Sequence, residues 1–168
     1  LTWSLCTALT GACSFRARRH TSVLPDPPVY VSLSGNDANT GDALHPFGTI
    51  QHALAVSGAA QIIVSPGIHQ PFNATNFSSN AILLSCQGAA GACQFNASVS
   101  FYSCTSVTMV GFAFWRRNST ATGVGQSAVI ESSTVSFQQC IFSKSEQSVY
   151  ISRSIVTADD CIFTHLGS

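Results

Sequence analysis

Charge is what this chain has least of. Only 8% of its 168 residues are charged, seven Lys or Arg against seven Asp or Glu, and the formal net charge is zero. That is about a third of the usual share. Such a balance offers no basic footprint for nucleic acid. Seven carboxylates in all leave little material for acid–base or metal chemistry. No apolar run approaches the roughly 18 residues of a membrane span. No phosphate loop, dinucleotide-binding motif or Ser–His–Asp context occurs. So few charges protect a surface poorly against association, so that glycans or neighbouring molecules are expected to cover it.

What the chain has instead is a repeat. VSFQQCIF (135–142) and VTADDCIF (156–163) coincide at Val, Cys, Ile and Phe, with Cys140 and Cys161 offset by 21 residues. VTMVGFAF (107–114) is a looser copy that keeps the first Val and the last Phe. The short strand ahead of the later copies recurs too, as AVIES and then VYISR. A fixed period near 21 with two short strands, polar turns and no helical spacing predicts an all-β solenoid. Rungs stacked at about 4.8 Å place equivalent side chains one above another. Phe114, Phe142 and Phe163 then form an internal aromatic ladder, and Cys140 lies one rung below Cys161.

Cysteines and sequons bear on the compartment. Cys6 and Cys13, and again Cys86 and Cys93, are spaced C-x6-C inside CTALTGACSF and CQGAAGACQF. Two copies of one Ala/Gly loop bounded by cysteines read as two disulfide loops. Zinc asks for shorter spacings and nearby histidines. Of the remaining Cys104, Cys140 and Cys161, the last two either bridge neighbouring rungs or stack as small hydrophobes, with stacking favoured. Four Asn-X-Ser/Thr sequons begin at Asn73, Asn76, Asn96 and Asn118. Together these predict a secreted protein with covalent N-glycans, extracellular or at the cell surface. Asn36, Asp37, Asn39 and Asp42 offer oxygen ligands for calcium. Asx turns explain the same residues without a metal and are the favoured reading. No cofactor is expected.

The chain divides at its proline-rich tether. Residues 1–28 form an N-terminal extension: an apolar strand-like piece with the first disulfide loop, a basic turn, and LPDPP at 24–28. The apolar start resembles a signal-peptide core, but its second half repeats the Cys86–Cys93 unit, so it reads as a retained segment. Residues 29–168 form the solenoid domain. Its opening predicts a strand at 29–33, a turn, and a short helix at 49–56 with Ile50, Ala53, Leu54 and Val56 on one face. A second strand follows at 61–65.

This opening resembles the first rung of right-handed parallel β-helix proteins of the pectate-lyase-like superfamily. The resemblance rests on Tyr30, Val31, Ser32, Gly35, Asn36, Asp37, Gly41, Pro46, Phe47, Thr49, Ile50, Ala53, Ile63, Val64, Pro66 and Gly67, with His69 where Tyr is usual. The later rungs look like those of polymorphic outer-membrane-protein and similar adhesin repeats. The resemblance implies a right-handed parallel β-helix from residue 29 onward, and it raises the question of polysaccharide cleavage. Hydrolases of such folds use paired carboxylates, and Asp159-Asp160 resembles the Asp-Asp pair of polygalacturonases. The companion Gly-His-Gly context surrounds none of the five histidines, and the pair falls where Gln138 and Gln139 sit one rung earlier. Asp159 and Asp160 are therefore the weaker expectation.

The expected function follows from the ends. A solenoid needs its terminal edges covered, and a tethered strand-like extension could cover the open end of another copy. A helix lying across the first rung would weigh against such stacking. The expectation is a non-catalytic structural β-helix whose copies assemble head to tail into an extracellular fibre or surface appendage. The alternatives are a pectin or uronate hydrolase or lyase, and a monomeric glycan-binding adhesin.

Overall fold

The structure, a computed structural model, describes residues 27–57, 61–77, 81–115, 126–143 and 147–164. The elements up to the middle of the chain are β1 (Val29–Val31), α1 (Ile50–Ser57), β2 (Gln61–Val64), β3 (Gly67–His69), β4 (Asn73–Thr75), β5 (Ile82–Cys86), β6 (Cys93–Phe95) and β7 (Val99–Tyr102). There follow β8 (Val107–Val110), β9 (Phe112–Trp115), β10 (Gln126–Glu131), β11 (Thr134–Gln138), β12 (Ile141–Ser143), β13 (Gln147–Ser152), β14 (Ile155–Asp159) and β15 (Ile162–Thr164).

These strands make a parallel β-solenoid with three faces. The first sheet runs β1-β2-β5-β8-β11-β14, the second β3-β6-β9-β12-β15, and the third β4-β7-β10-β13. Each of the triplets β2-β3-β4, β5-β6-β7, β8-β9-β10 and β11-β12-β13 therefore completes one turn. The sequence pattern anticipated two strands per rung; the structure has three. The repeat unit at 156–163 is cut by a corner into β14 and β15, as 135–142 is cut into β11 and β12.

The corners explain the cut. Gly111, Gln139 and Asp160 stack at one corner with φ of 79°, 52° and 51°, and Asn76, Ser103, Ser132 and Arg153 stack at another with φ between 50° and 61°. A left-handed residue bends the strand without breaking the coil's hydrogen bonding. Gly111 N–H donates to Gln138 O at 2.9 Å, and Gln139 N–H donates to Asp159 O at 2.9 Å.

The inward side chains form columns. His69, Phe95, Phe114, Phe142 and Phe163 occupy equivalent positions in the second sheet. Phe114–Phe142 and Phe142–Phe163 stack at centroid separations of 4.7 and 4.9 Å with planes 6° apart. Ile62, Leu84, Met109, Phe137 and Ala158 make the column of the first sheet. Ala74, Phe101, Ile130 and Ile151 make that of the third. Phe137 meets Phe142 edge to face at 5.2 Å, joining two columns across the interior. The expected Phe114–Phe142–Phe163 ladder is thus present, and it extends further down to Phe95 and His69.

Candidate functional site

The coil's two ends differ, and the difference begins with α1. Asp37 accepts hydrogen bonds from the N–H groups of Gly48 (2.8 Å) and Thr49 (2.9 Å) and from the Thr49 hydroxyl (2.9 Å). The same hydroxyl accepts from His52 N–H at 3.1 Å, so Thr49 is the N-cap and Asp37 braces it from outside. Partial burial pushes the Asp37 carboxyl upward, but the bonds from Thr49 and Gly48 outweigh it and hold the group below its ordinary value. Ile50, Ala53 and Leu54 are buried in the core. Val56 is not on that face: it is 59% exposed, because at 100° per residue it points well away from Ile50 and Leu54.

The helix packs against β1, β2 and β4, so it touches the terminal strands of two sheets. Its Gln51 completes the closure. Asn73 N–H donates to Gln51 Oε1 at 2.8 Å, and Gln51 Nε2 donates to Asn73 O at 3.2 Å. One side-chain amide makes both bonds that a neighbouring strand would make to Asn73 of β4. Beside it, a cavity of about 250 Å³ is lined by Leu33, Thr49, Ile68, His69, Gln70 and Pro71. His69 Nε2 donates to Ser65 O at 2.7 Å, so this buried imidazole is anchored to the backbone.

The other end is open among the described residues. β13, β14 and β15 stand last in their sheets. Ile151 and Phe163 continue the inward columns, yet they are 50% and 57% exposed, whereas Ile130 and Phe142 one turn earlier are fully buried. Ile155 and Ile162 add exposed apolar surface to the same turn. This end joins an apolar face to three strand edges, the combination that recruits another strand.

The remaining candidates are placed as follows. Asp159 ends β14 in register with Gln138, and Asp160 holds the left-handed corner above Gln139; both are exposed. In the acidic loop, Asn36 Oδ1 accepts from Ala38 N–H at 2.9 Å. Asp42 Oδ1 accepts from Leu44 and His45 N–H at 2.8 Å each, and Oδ2 from the Thr40 hydroxyl at 2.7 Å. The Thr40 bond, followed by those of His45 and Leu44, pulls the Asp42 carboxyl down to about 2. Asn39 Nδ2 donates to Pro46 O at 2.9 Å. The side-chain oxygens of Asn36, Asp37 and Asp42 accept from the turns and the cap of their own loop. Among the described residues no cluster of three or more His, Cys, Asp or Glu could hold a metal.

Cys86 and Cys93 form the expected disulfide; Cys6 and Cys13 lie outside the described residues. Cys104, Cys140 and Cys161 are free thiols, with Cys140 and Cys161 stacked on successive turns. Asn73, Asn76 and Asn96 are exposed, and Asn118 lies outside the described residues. Sequence reasoning missed the Gln51–Asn73 clamp, which has no local signal. It also missed a hydroxyl ladder at one corner, where Ser133 Oγ donates to Glu131 O (2.8 Å) and Ser154 Oγ to Ser152 O (2.7 Å). The triplets Glu131-Ser132-Ser133 and Ser152-Arg153-Ser154 carried that signal.

Compared with known protein families, curated proteins and solved structures, the chain shows no significant match.

Proposed function

We propose that this protein is a non-catalytic structural β-helix, secreted and N-glycosylated, whose copies associate end to end. The observation that carries this reading is the exposure of Ile151 and Phe163, two members of otherwise buried columns. The occupant is residues 1–28 of a second copy. CTALTGACSF repeats CQGAAGACQF, and in the latter the disulfide loop feeds Phe95 into the aromatic column. Phe15 of one copy would stand over Phe163 of the next, extending the column by one ring. Because α1 closes the first turn, contact there would involve the extension alone, not a strand added to β4. The opening motif around Asn36, Asp37, Pro46 and Phe47 supports a place in the pectate-lyase-like superfamily. Exposed Asn73, Asn76 and Asn96 support glycan-covered flanks.

Light scattering and electron microscopy of the full chain test this. The expected result is multimers, or filaments with an axial repeat of roughly 25–35 Å, five to seven rungs at the strand spacing. Phe163→Asp, at a half-exposed position, should give monomers with unchanged circular dichroism. A wild-type chain that stays monomeric at high concentration overturns the proposal.

A further inference from the structure

The corner formed by Gly111, Gln139 and Asp160 is followed on successive turns by two reduced cysteines, Cys140 and Cys161. Cys140 and Cys161 are flanked by in-register pairs on both sides, Gln138↔Asp159 before them and Ile141↔Ile162 after. Their Cα atoms are thus one strand spacing apart, about 4.8 Å, inside the roughly 4.4–6.8 Å range that a disulfide spans. The thiols also share one orientation. Cys140 Sγ donates to Gln138 O (3.3 Å) and Met109 O (3.5 Å); Cys161 Sγ donates to the equivalent Asp159 O and Phe137 O, both at 3.4 Å. The third free thiol, Cys104, has no such partner: its corner position is taken by Ser133 on the next turn, whose Oγ accepts from Cys104 N–H at 3.0 Å.

We infer that Cys140 and Cys161 are a redox site at which a small soluble disulfide installs a covalent staple between the last two turns. Cys161 is half-buried at the open end, so it meets the reagent first. Its thiolate attacks one sulfur of the small disulfide, forming a mixed disulfide and expelling one small thiolate. The Cys140 thiolate then attacks the Cys161 sulfur, forming the Cys140–Cys161 bond and expelling the second. One disulfide is consumed and two thiols are produced, which take up the two protons lost by the cysteines. Burial raises the Cys140 thiol to about 11, so the second step is slow near neutrality and quickens as pH rises. The chain already carries one disulfide, at Cys86–Cys93, so an oxidising compartment would supply the reagent class. The inference does not depend on self-association.

The test is treatment of the full chain with oxidised glutathione, followed by intact mass and peptide mapping. The expected product has lost two hydrogens and yields one linked peptide pair containing Cys140 and Cys161. Deuterium uptake across 147–164 should slow by about tenfold or more, because the staple restrains opening of the last turn. Cys161→Ser and Cys140→Ser should abolish the product, while Cys104→Ser should leave it intact. Serine is tolerated in this kind of corner, since Ser133 and Ser154 make the same bond to the carbonyl two residues back. A glutathione adduct on Cys161 that persists when the pH is raised, or two thiols that both remain alkylatable after oxidation, would overturn the inference.

Discussion

The side-chain amide of Gln51 makes both backbone hydrogen bonds to Asn73, at 2.8 and 3.2 Å, and thereby stands in for a strand along β4. A helix can close a β-solenoid only if something satisfies the edge it covers, since buried backbone groups are rarely left unpaired. Gln51→Ala should therefore lower stability by about 1–2 kcal/mol, two ordinary hydrogen bonds at a partly exposed site. Faster amide exchange confined to β4 would identify the clamp as the cause. No change in either quantity would show that solvent replaces Gln51 without loss.

The aromatic column gives a graded prediction. Phe142 is fully buried between Phe114 and Phe163, and Phe163 is half-exposed. Phe142→Ala should cost about 3–5 kcal/mol, the usual loss for a buried Phe. Phe163→Ala should cost well under half of that in the monomer. Urea denaturation of the two variants at low protein concentration checks the ratio. Equal losses would mean that Phe163 is covered.

Asp37 should make stability pH-dependent. Its folded-state carboxyl lies below the ordinary 3.8, so its contribution is fully present above that value. It is lost as pH falls below about 4 and the folded group takes up its proton. Asp37→Asn should be less stable than wild type at pH 7, by about 1 kcal/mol, because hydrogen bonds from Gly48 and Thr49 to an ionised acceptor become bonds to a neutral one. The gap between the two should narrow at pH 3, read from urea midpoints. A gap that is constant with pH would remove Asp37 as its source.

Asp160 tests the corner geometry. At φ of 51°, a β-branched residue should lose about 1–2 kcal/mol relative to Asp, while Gly or Asn should not. Thermal unfolding of Asp160→Val against Asp160→Asn separates the cases. The double substitution of Asp159 and Asp160 by Asn bears on the enzymatic alternative. Under the structural reading, neither wild type nor this variant releases unsaturated or reducing ends from polyuronate. Cleavage by wild type that the double variant lacks would place those carboxylates in an active site.

Much of the architecture was legible because a solenoid is written locally. Each turn repeats the same inward positions, so Val135, Cys140 and Phe142 announce Val156, Cys161 and Phe163. The short helix was legible from Ile50, Ala53 and Leu54, but Val56 misled, as a short apolar run does not specify a face by itself. The number of strands per turn was not legible. It depends on which residues adopt left-handed φ, and Gln139 and Arg153 do so without being residues that favour it; their neighbours in the stack impose the corner.

The sequence by itself determined a parallel coil whose last turn is 21 residues long, the aromatic and cysteine columns, and the Cys86–Cys93 loop, because these follow from periodicity and local spacing. Only the tertiary structure decided that, among the described residues, α1 covers the first turn while Ile151 and Phe163 of the last described turn are left half-exposed. Gln51 meets Asn73 across 22 residues, and Phe163 stays half-exposed because no described side chain lies beyond it. Both facts depend on what the coil stacks together in space, and periodicity along the chain carries no information about that.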